Sequence, residues 1–161
     1  MFTANELLDM AIKLEKNGES VYRSAIAKVD KPELVSLLEW MIDEEVKHAG
    51  FFSELKHNLE TKQVNPFMEE MSRELFDELL GNQNFSLKEV DFSAIDNTDE
   101  LIAVFIEFEQ DSVIFYKVLE PFVEDPAALE HLRKIIDEEY LHIQRMQKFI
   151  GRKVAFSIIR E

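Results

Sequence analysis

The sequence contains no cysteine, and only four glycines and four prolines among its 161 residues. The absence of cysteine excludes disulfides, thiolate catalysis and any cysteine-ligated zinc or iron–sulfur site within this sequence. So few glycines and prolines argue against a turn-rich β architecture. No apolar run approaches the ~20 residues that span a bilayer, and the N-terminus lacks the pattern of a signal peptide. We therefore expect no membrane association and a cytoplasmic location.

Basic residues are also scarce, with 18 Lys and Arg against 33 Asp and Glu, which gives a net charge of −15. This balance argues against binding to nucleic acid, whose backbone attracts basic side chains. Hydrophobic residues make up 46% and charged residues 32%, as in soluble globular proteins. The length predicts a single domain over residues 1–161.

Apolar residues at helical spacing predict four long helices, over about residues 3–29, 32–60, 97–120 and 126–150. Thr3 and Glu6 match a capping box at the first, and Pro32 is a favoured first residue for the second. Asp125 caps the fourth helix, while Pro121 ends the third. The fold predicted is therefore all-α.

The short loops predict two antiparallel hairpins, hairpin 1 over about 3–60 and hairpin 2 over about 98–150. A long crossover, 62–97, joins them and contains a short extra helix with an apolar stripe of Phe67, Met71, Leu75 and Leu79. That stripe could pack on the bundle or form a docking surface. The tail, 151–161, has no strong signal.

Hairpin 2 repeats hairpin 1 at a constant offset of 94 residues, without a gap. The most visible copy is "DEEVKH" at 43–48, which returns as "DEEYLH" at 137–142. The same offset relates Glu15 to Glu109 and Tyr22 to Tyr116. Two such hairpins predict a four-helix bundle with approximate twofold symmetry.

One glutamate interrupts the apolar seam of each predicted helix, and two of the helices add a histidine one turn later. The six residues concerned are Glu15, Glu45, His48, Glu109, Glu139 and His142. Four carboxylates in an apolar core repel one another and lose hydration, at a cost of several kcal/mol each. Two divalent cations would balance their four charges, and each imidazole could take one cation. Two Glu-x-x-His pairs plus two further glutamates are the ligand set of dinuclear carboxylate bundles, and such ligands suit iron or manganese.

Other polar residues near these positions have simpler interpretations. Glu19 and Glu107 lie off the seam, and the residues at the 94-residue offset from them are not acidic. Asp43 and Asp137 fall on the predicted surface. His57 and His131 have no matching ligand partner. Glu44 and Glu138 each stand four residues before a predicted ligand histidine. They could accept the second imidazole N–H, or simply face solvent.

Two tyrosines, Tyr22 and Tyr116, stand two turns after their glutamates. They could orient the carboxylates or act as redox-active phenols. Equally, they could be core tyrosines with satisfied hydroxyls.

With these motifs, the sequence resembles the rubrerythrin-like branch of the ferritin-like superfamily. The resemblance rests on "IKLEKNGESVY" at 12–22, "FIEFEQDSVIFY" at 105–116 and the two "DEE-x-x-H" motifs. It implies a ferritin-like bundle with two iron ions, terminal ligands Glu15 and Glu109, and bridging ligands Glu45 and Glu139. Rubrerythrins carry a further glutamate three residues after the third-helix ligand, where this sequence has Ser112.

The resemblance implies an oxidoreductase that reduces hydrogen peroxide or dioxygen at a di-iron centre, or a di-manganese one, in defence against oxidative stress. Because there is no cysteine for a rubredoxin module, the electron donor would be a separate, rubredoxin-like protein. We also expect a homodimer or higher homo-oligomer. Two alternatives are open: an iron-handling protein that oxidises Fe(II), and a partner-binding protein with a structural metal site.

Overall fold

A computed structural model describes residues 4–59, 70, 95 and 97–150. These residues form four α-helices: α1 (Ala4–Ile26), α2 (Pro32–Leu59), α3 (Thr98–Leu119) and α4 (Pro126–Gln147). A 3₁₀ helix, η1 (Glu120–Phe122), follows α3 directly. No strand occurs among the described residues. The predicted all-α fold with four long helices is confirmed.

Side chains cap the starts of α3 and α4, and one of them is the predicted cap Asp125. Asn97 accepts a hydrogen bond from the Asp99 backbone N–H at 2.8 Å, and Asp125 accepts one from Ala128 N–H at 2.9 Å. Each side chain satisfies a donor that the first turn leaves free. Thr3 lies outside the described residues, as do the tail and all of the predicted crossover helix except Glu70.

Two helix ends differ from the prediction: α1 ends at Ile26 rather than near Val29, and α4 at Gln147 rather than near Ile150. Both Val29 and Ile150 are nevertheless buried. An apolar residue just beyond a helix end continues the helical spacing and still packs on the core, so the pattern extends past the helix.

The two hairpins pack against each other with their matching helices antiparallel. Along the α2–α4 boundary Trp40 meets Arg145, and further along His48 meets Glu138. Along the α1–α3 boundary Tyr22 contacts both Phe105 and Glu109. Seam residues such as Leu38, Met41, Ile102, Phe105, Leu132 and Ile135 are at most 1% exposed. The core therefore runs along the bundle axis, and the six predicted ligands interrupt its middle.

None of the described helices is both long and apolar enough to cross a membrane.

Candidate metal centre

All six predicted ligands meet inside the bundle. They are at most 2% exposed, at Glu15, Glu45, His48, Glu109, Glu139 and His142. Each helix of the bundle contributes one glutamate, and α2 and α4 add a histidine one turn later on the same face.

On one side of the cluster, four residues present ligand atoms within 4.8 Å of one another: Glu15, Glu45, His48 and Glu139. The Nδ1 atom of His48 lies 2.7 Å from Glu139 Oε1 and 3.5 Å from Glu15 Oε1. It is therefore Nδ1 of this imidazole that faces the carboxylates.

The other side is built in the same way from Glu45, Glu109, Glu139 and His142, again within 4.8 Å. His142 Nδ1 lies 3.4 Å from Glu45 Oε1, 3.5 Å from Glu139 Oε2 and 3.7 Å from Glu109 Oε1. Glu45 and Glu139 belong to both groups, so the geometry gives them the shared positions between two adjacent cation-sized sites.

Many polar atoms of this cluster lack hydrogen bonds within the described residues. The unbonded atoms are Glu15 Oε2, Glu45 Oε1, Glu109 Oε2, both oxygens of Glu139, Nδ1 of both histidines and His142 Nε2. Buried polar atoms without partners are costly and rare in folded proteins. A pair of cations would satisfy these atoms apart from His142 Nε2, since carboxylate oxygens and imidazole nitrogens are the ligands of iron, manganese and zinc. The residues present therefore fit a dinuclear metal site.

In the metal-free cluster, burial and neighbouring charges shift the pKa values of several of the six residues. Burial, together with repulsion from neighbouring carboxylates, raises the pKa of Glu45 well above its ordinary value and that of Glu139 to about 8. Burial alone would lower the pKa of His142, but the adjacent carboxylates of Glu109 and Glu139 raise it to about 10. Without metal, protons thus occupy positions that cations would take, and metal binding must release them.

The two core tyrosines hold the remaining glutamates from across the bundle. Tyr22 donates its hydroxyl hydrogen to Glu109 Oε1, and Tyr116 donates to Glu15 Oε1. Each tyrosine therefore bonds the glutamate of the other hairpin. Burial raises the pKa of both phenols, which keeps them protonated as donors.

Glu138 lies beside a different histidine from the one expected from its position in the sequence. Its Oε2 atom lies 2.8 Å from Nε2 of His48, whereas Glu44 Oε2 is 3.8 Å from the same nitrogen. The reason is that α2 and α4 are antiparallel neighbours, which places Glu138 opposite His48 rather than along its own helix from His142.

The residues with simpler interpretations lie away from the centre. Asp43, Asp137, His57, His131 and Glu107 are exposed. Glu19 pairs with Arg23 at 3.0 Å on the surface of α1.

Two residues for which the sequence predicted no role at the site also touch the cluster. A Cβ atom at Gly18 would lie 3.1 Å from Glu45 Oε2, so this glycine leaves room for the shared carboxylate. Trp40 packs edge-on against His142, with ring centroids 5.0 Å apart. The sequence signal for Trp40 was a break in the repeat, because its mate at the 94-residue offset is Lys134.

The fold and the site together define a four-helix bundle protein with a buried candidate metal centre of four glutamates and two histidines. A crystal structure from Thermotoga maritima, provisionally described as a ferritin-like diiron-carboxylate protein, is similar to this chain, with a TM-score of 0.67. The likeness covers 91% of this chain and 93% of that chain at 21% identity, and it shows the shared fold.

The family model named Rubrerythrin matches residues 6–150, and the chain belongs to that family. A comparison with curated protein sequences gave no significant match.

Proposed function

We propose that this protein is a non-haem di-iron oxidoreductase that reduces hydrogen peroxide or dioxygen. The observation that carries the proposal is the pair of adjacent four-residue ligand groups that share Glu45 and Glu139. Glu15 with His48 would complete one metal position, and Glu109 with His142 the other. Manganese would fit the same oxygen and nitrogen donors.

Charge supports occupation by two divalent ions. Four ionised glutamates carry −4, and two such ions carry +4. With neutral imidazoles as the remaining ligands, the buried centre would be electrically balanced. This removes the carboxylate repulsion that, in addition to burial, raises the pKa of Glu45 and Glu139 in the metal-free state.

When bound, a pair of ferrous ions supplies the two electrons that, with two protons, reduce one hydrogen peroxide to two water molecules. The chain's own residues hold the geometry. The tyrosine hydroxyls fix one oxygen of Glu15 and one of Glu109, and the surrounding apolar seam keeps bulk water from the ligands. Rigid support of this kind positions the reacting atoms without reorganisation during the reaction.

Return to the ferrous state would need an external electron donor, because the sequence has no cysteine for an iron–sulfur module. We propose a separate rubredoxin-like protein as donor and a homo-oligomeric assembly.

Metal analysis and rapid kinetics test this proposal. Protein loaded anaerobically with Fe(II) should contain two iron ions per chain, and Glu139→Ala should lose most of this iron. Glu19→Ala is the matched control, since that carboxylate lies on the surface of α1. In stopped-flow mixing, the ferrous protein should be oxidised faster by peroxide than by dioxygen. Absence of bound iron, or unchanged iron in Glu139→Ala, would show that the ligand assignment is wrong.

A second candidate function is iron handling, in which Fe(II) is the substrate and its oxidised form is passed on. The observation that favours it is Ser112, whose buried hydroxyl donates to the Phe108 carbonyl at 3.1 Å. The position that carries an additional glutamate in rubrerythrins thus offers no carboxylate here. Turnover of many Fe(II) ions per chain with dioxygen, without a preference for peroxide, would favour this function over the first.

A further inference from the structure

The surroundings of the Nε2 atom differ between His48 and His142, although the two histidines occupy equivalent positions in the repeat. Nε2 of His48 has an acceptor, Glu138 Oε2, at 2.8 Å. Nε2 of His142 has no hydrogen-bond partner among the described residues. Next to His142 lies instead the edge of Trp40, half-buried on α2.

The residues that surround the two imidazoles differ between the two copies of the repeat. The repeat mate of Trp40 is Lys134, which lies 3.9 Å from Glu138 and adds a positive charge beside it. The guanidinium of Arg145 stacks 4.2 Å above the Trp40 ring, whereas the mate of Arg145 is Phe51. An acid–base pair therefore flanks one imidazole, and a cation–aromatic stack flanks the other.

A carboxylate that accepts Nε2–H has three effects on a metal-binding imidazole. It fixes the tautomer so that the Nδ1 lone pair is free, it holds the ring in place, and it makes the imidazole more basic. In this chain, Nδ1 of His48 is the atom that faces Glu15 and Glu139. An aromatic contact at His142 restrains the ring but supplies no acceptor for Nε2–H.

We propose that the two metal positions are unequal: the Glu15/His48 position binds the first divalent ion and holds it, while the Glu109/His142 position binds the second and releases it first. Glu138 is the positioning residue that creates the difference, acting from hairpin 2 on a histidine of hairpin 1. The inference rests on the proposed dinuclear site. Its consequence is that one ion stays in place while the other exchanges.

Titration with Zn(II) tests the inference, because zinc is diamagnetic and takes the same nitrogen and oxygen ligands. In protein labelled with ¹⁵N-histidine, the first equivalent of zinc should shift the Nδ1 resonance of His48, and the second that of His142. The zinc-loaded protein should show a slowly exchanging, hydrogen-bonded Nε2–H at His48. Calorimetry should resolve two binding steps.

Variants of Glu138 separate positioning from general damage to the fold. Glu138→Ala should weaken the first step by about 10- to 100-fold, the usual range for such partners. Glu138→Gln keeps an acceptor oxygen and should restore part of this loss as well as the Nε2–H signal. Glu44→Gln is the matched control, since at 3.8 Å from Nε2 its carboxylate is too distant to accept a normal hydrogen bond.

Four outcomes would contradict these expectations. Two zinc ions that bind with equal affinity, or a first shift at His142, would overturn the inference and leave the dinuclear site intact. Unchanged binding by both Glu138→Ala and the double variant Glu44→Gln/Glu138→Ala would do the same. If no zinc or iron binds at all, the proposed function itself fails.

Discussion

Replacing Glu139 by glutamine should stabilise the metal-free protein while it weakens metal binding. Glutamine has nearly the same shape as a protonated glutamic acid but cannot ionise. Glu139 is 1% exposed and is shared by both ligand groups. The substitution therefore removes the unfavourable ionisation of a buried carboxyl group from the apoprotein. It also removes one carboxylate ligand from each of the two metal positions.

The size of the cost follows from proton linkage. In the folded apoprotein, burial and repulsion from Glu109 and Glu15 raise the pKa of Glu139 from 4.5 to about 8. The folded state thus keeps a proton that the unfolded chain releases, so stability falls as pH rises from about 4.5 to about 8 and is unaffected by this group at lower pH. At pH 7 the loss is at most about 3 kcal/mol. Glu139→Gln should recover up to this amount at pH 7 and almost none near pH 4.5.

Urea denaturation followed by circular dichroism measures the effect, in EDTA at pH 5 and pH 7. Zinc or manganese should then reverse the order of stability, because each bound ion at 100 times its Kd adds about 2.7 kcal/mol, and two ions together exceed the advantage of the variant. Glu19→Gln, on the surface of α1, should change stability by less than about 1 kcal/mol. A metal-free variant that is less stable than the parent at pH 7, or an advantage that does not shrink on acidification, would refute the reasoning.

Two further substitutions test the supports of the cluster. Tyr22→Phe removes the hydroxyl that donates to buried Glu109, and the free energy of unfolding in urea should fall by about 1.5–3 kcal/mol, the usual value of a hydrogen bond to a charged group. Gly18→Ala should improve helix propensity by up to about 1 kcal/mol but displace Glu45, so zinc affinity measured by calorimetry should fall while stability does not.

Tyr22→Phe and Gly18→Ala each have a matched control variant. Tyr140→Phe alters an exposed phenol and should leave stability within about 0.5 kcal/mol of the parent. Gly50→Ala adds a methyl group to α2 at a point where, among the described residues, no atom beyond the adjoining helix backbone lies within 4 Å, and it should leave zinc binding unchanged. Equal effects of a substitution and its control would show that the named contact at the cluster is not responsible.

The sequence was sufficient to predict the helices and the six clustered residues because both depend on spacing within a helix. Glu45 and His48 fall on one face by helical geometry alone, and the repeat then locates Glu139 and His142. The same spacing placed the end of α4 too late, since buried Ile150 continues the apolar pattern beyond Gln147.

Contacts between the hairpins could not be predicted in this way. The sequence order placed Glu138 four residues from His142, but the register of α4 against α2 brings it to His48 instead. That register depends on side-chain packing along the whole interface. For the same reason, the pairing of Tyr22 with Glu109 is visible only in the folded bundle.

The hydrogen bonds between the two hairpins also limit how far the two copies of the repeat can diverge in sequence. Tyr22, Tyr116 and Glu138 each serve a residue of the opposite copy, so neither copy can change these positions without disturbing the other. Trp40 also contacts the opposite copy, at His142 and Arg145, but through ring contacts, and the residue equivalent to it in the repeat is Lys134. The residues that hydrogen-bond across the copies are therefore the same in both halves of the repeat, whereas the ring contact of Trp40 belongs to one copy alone.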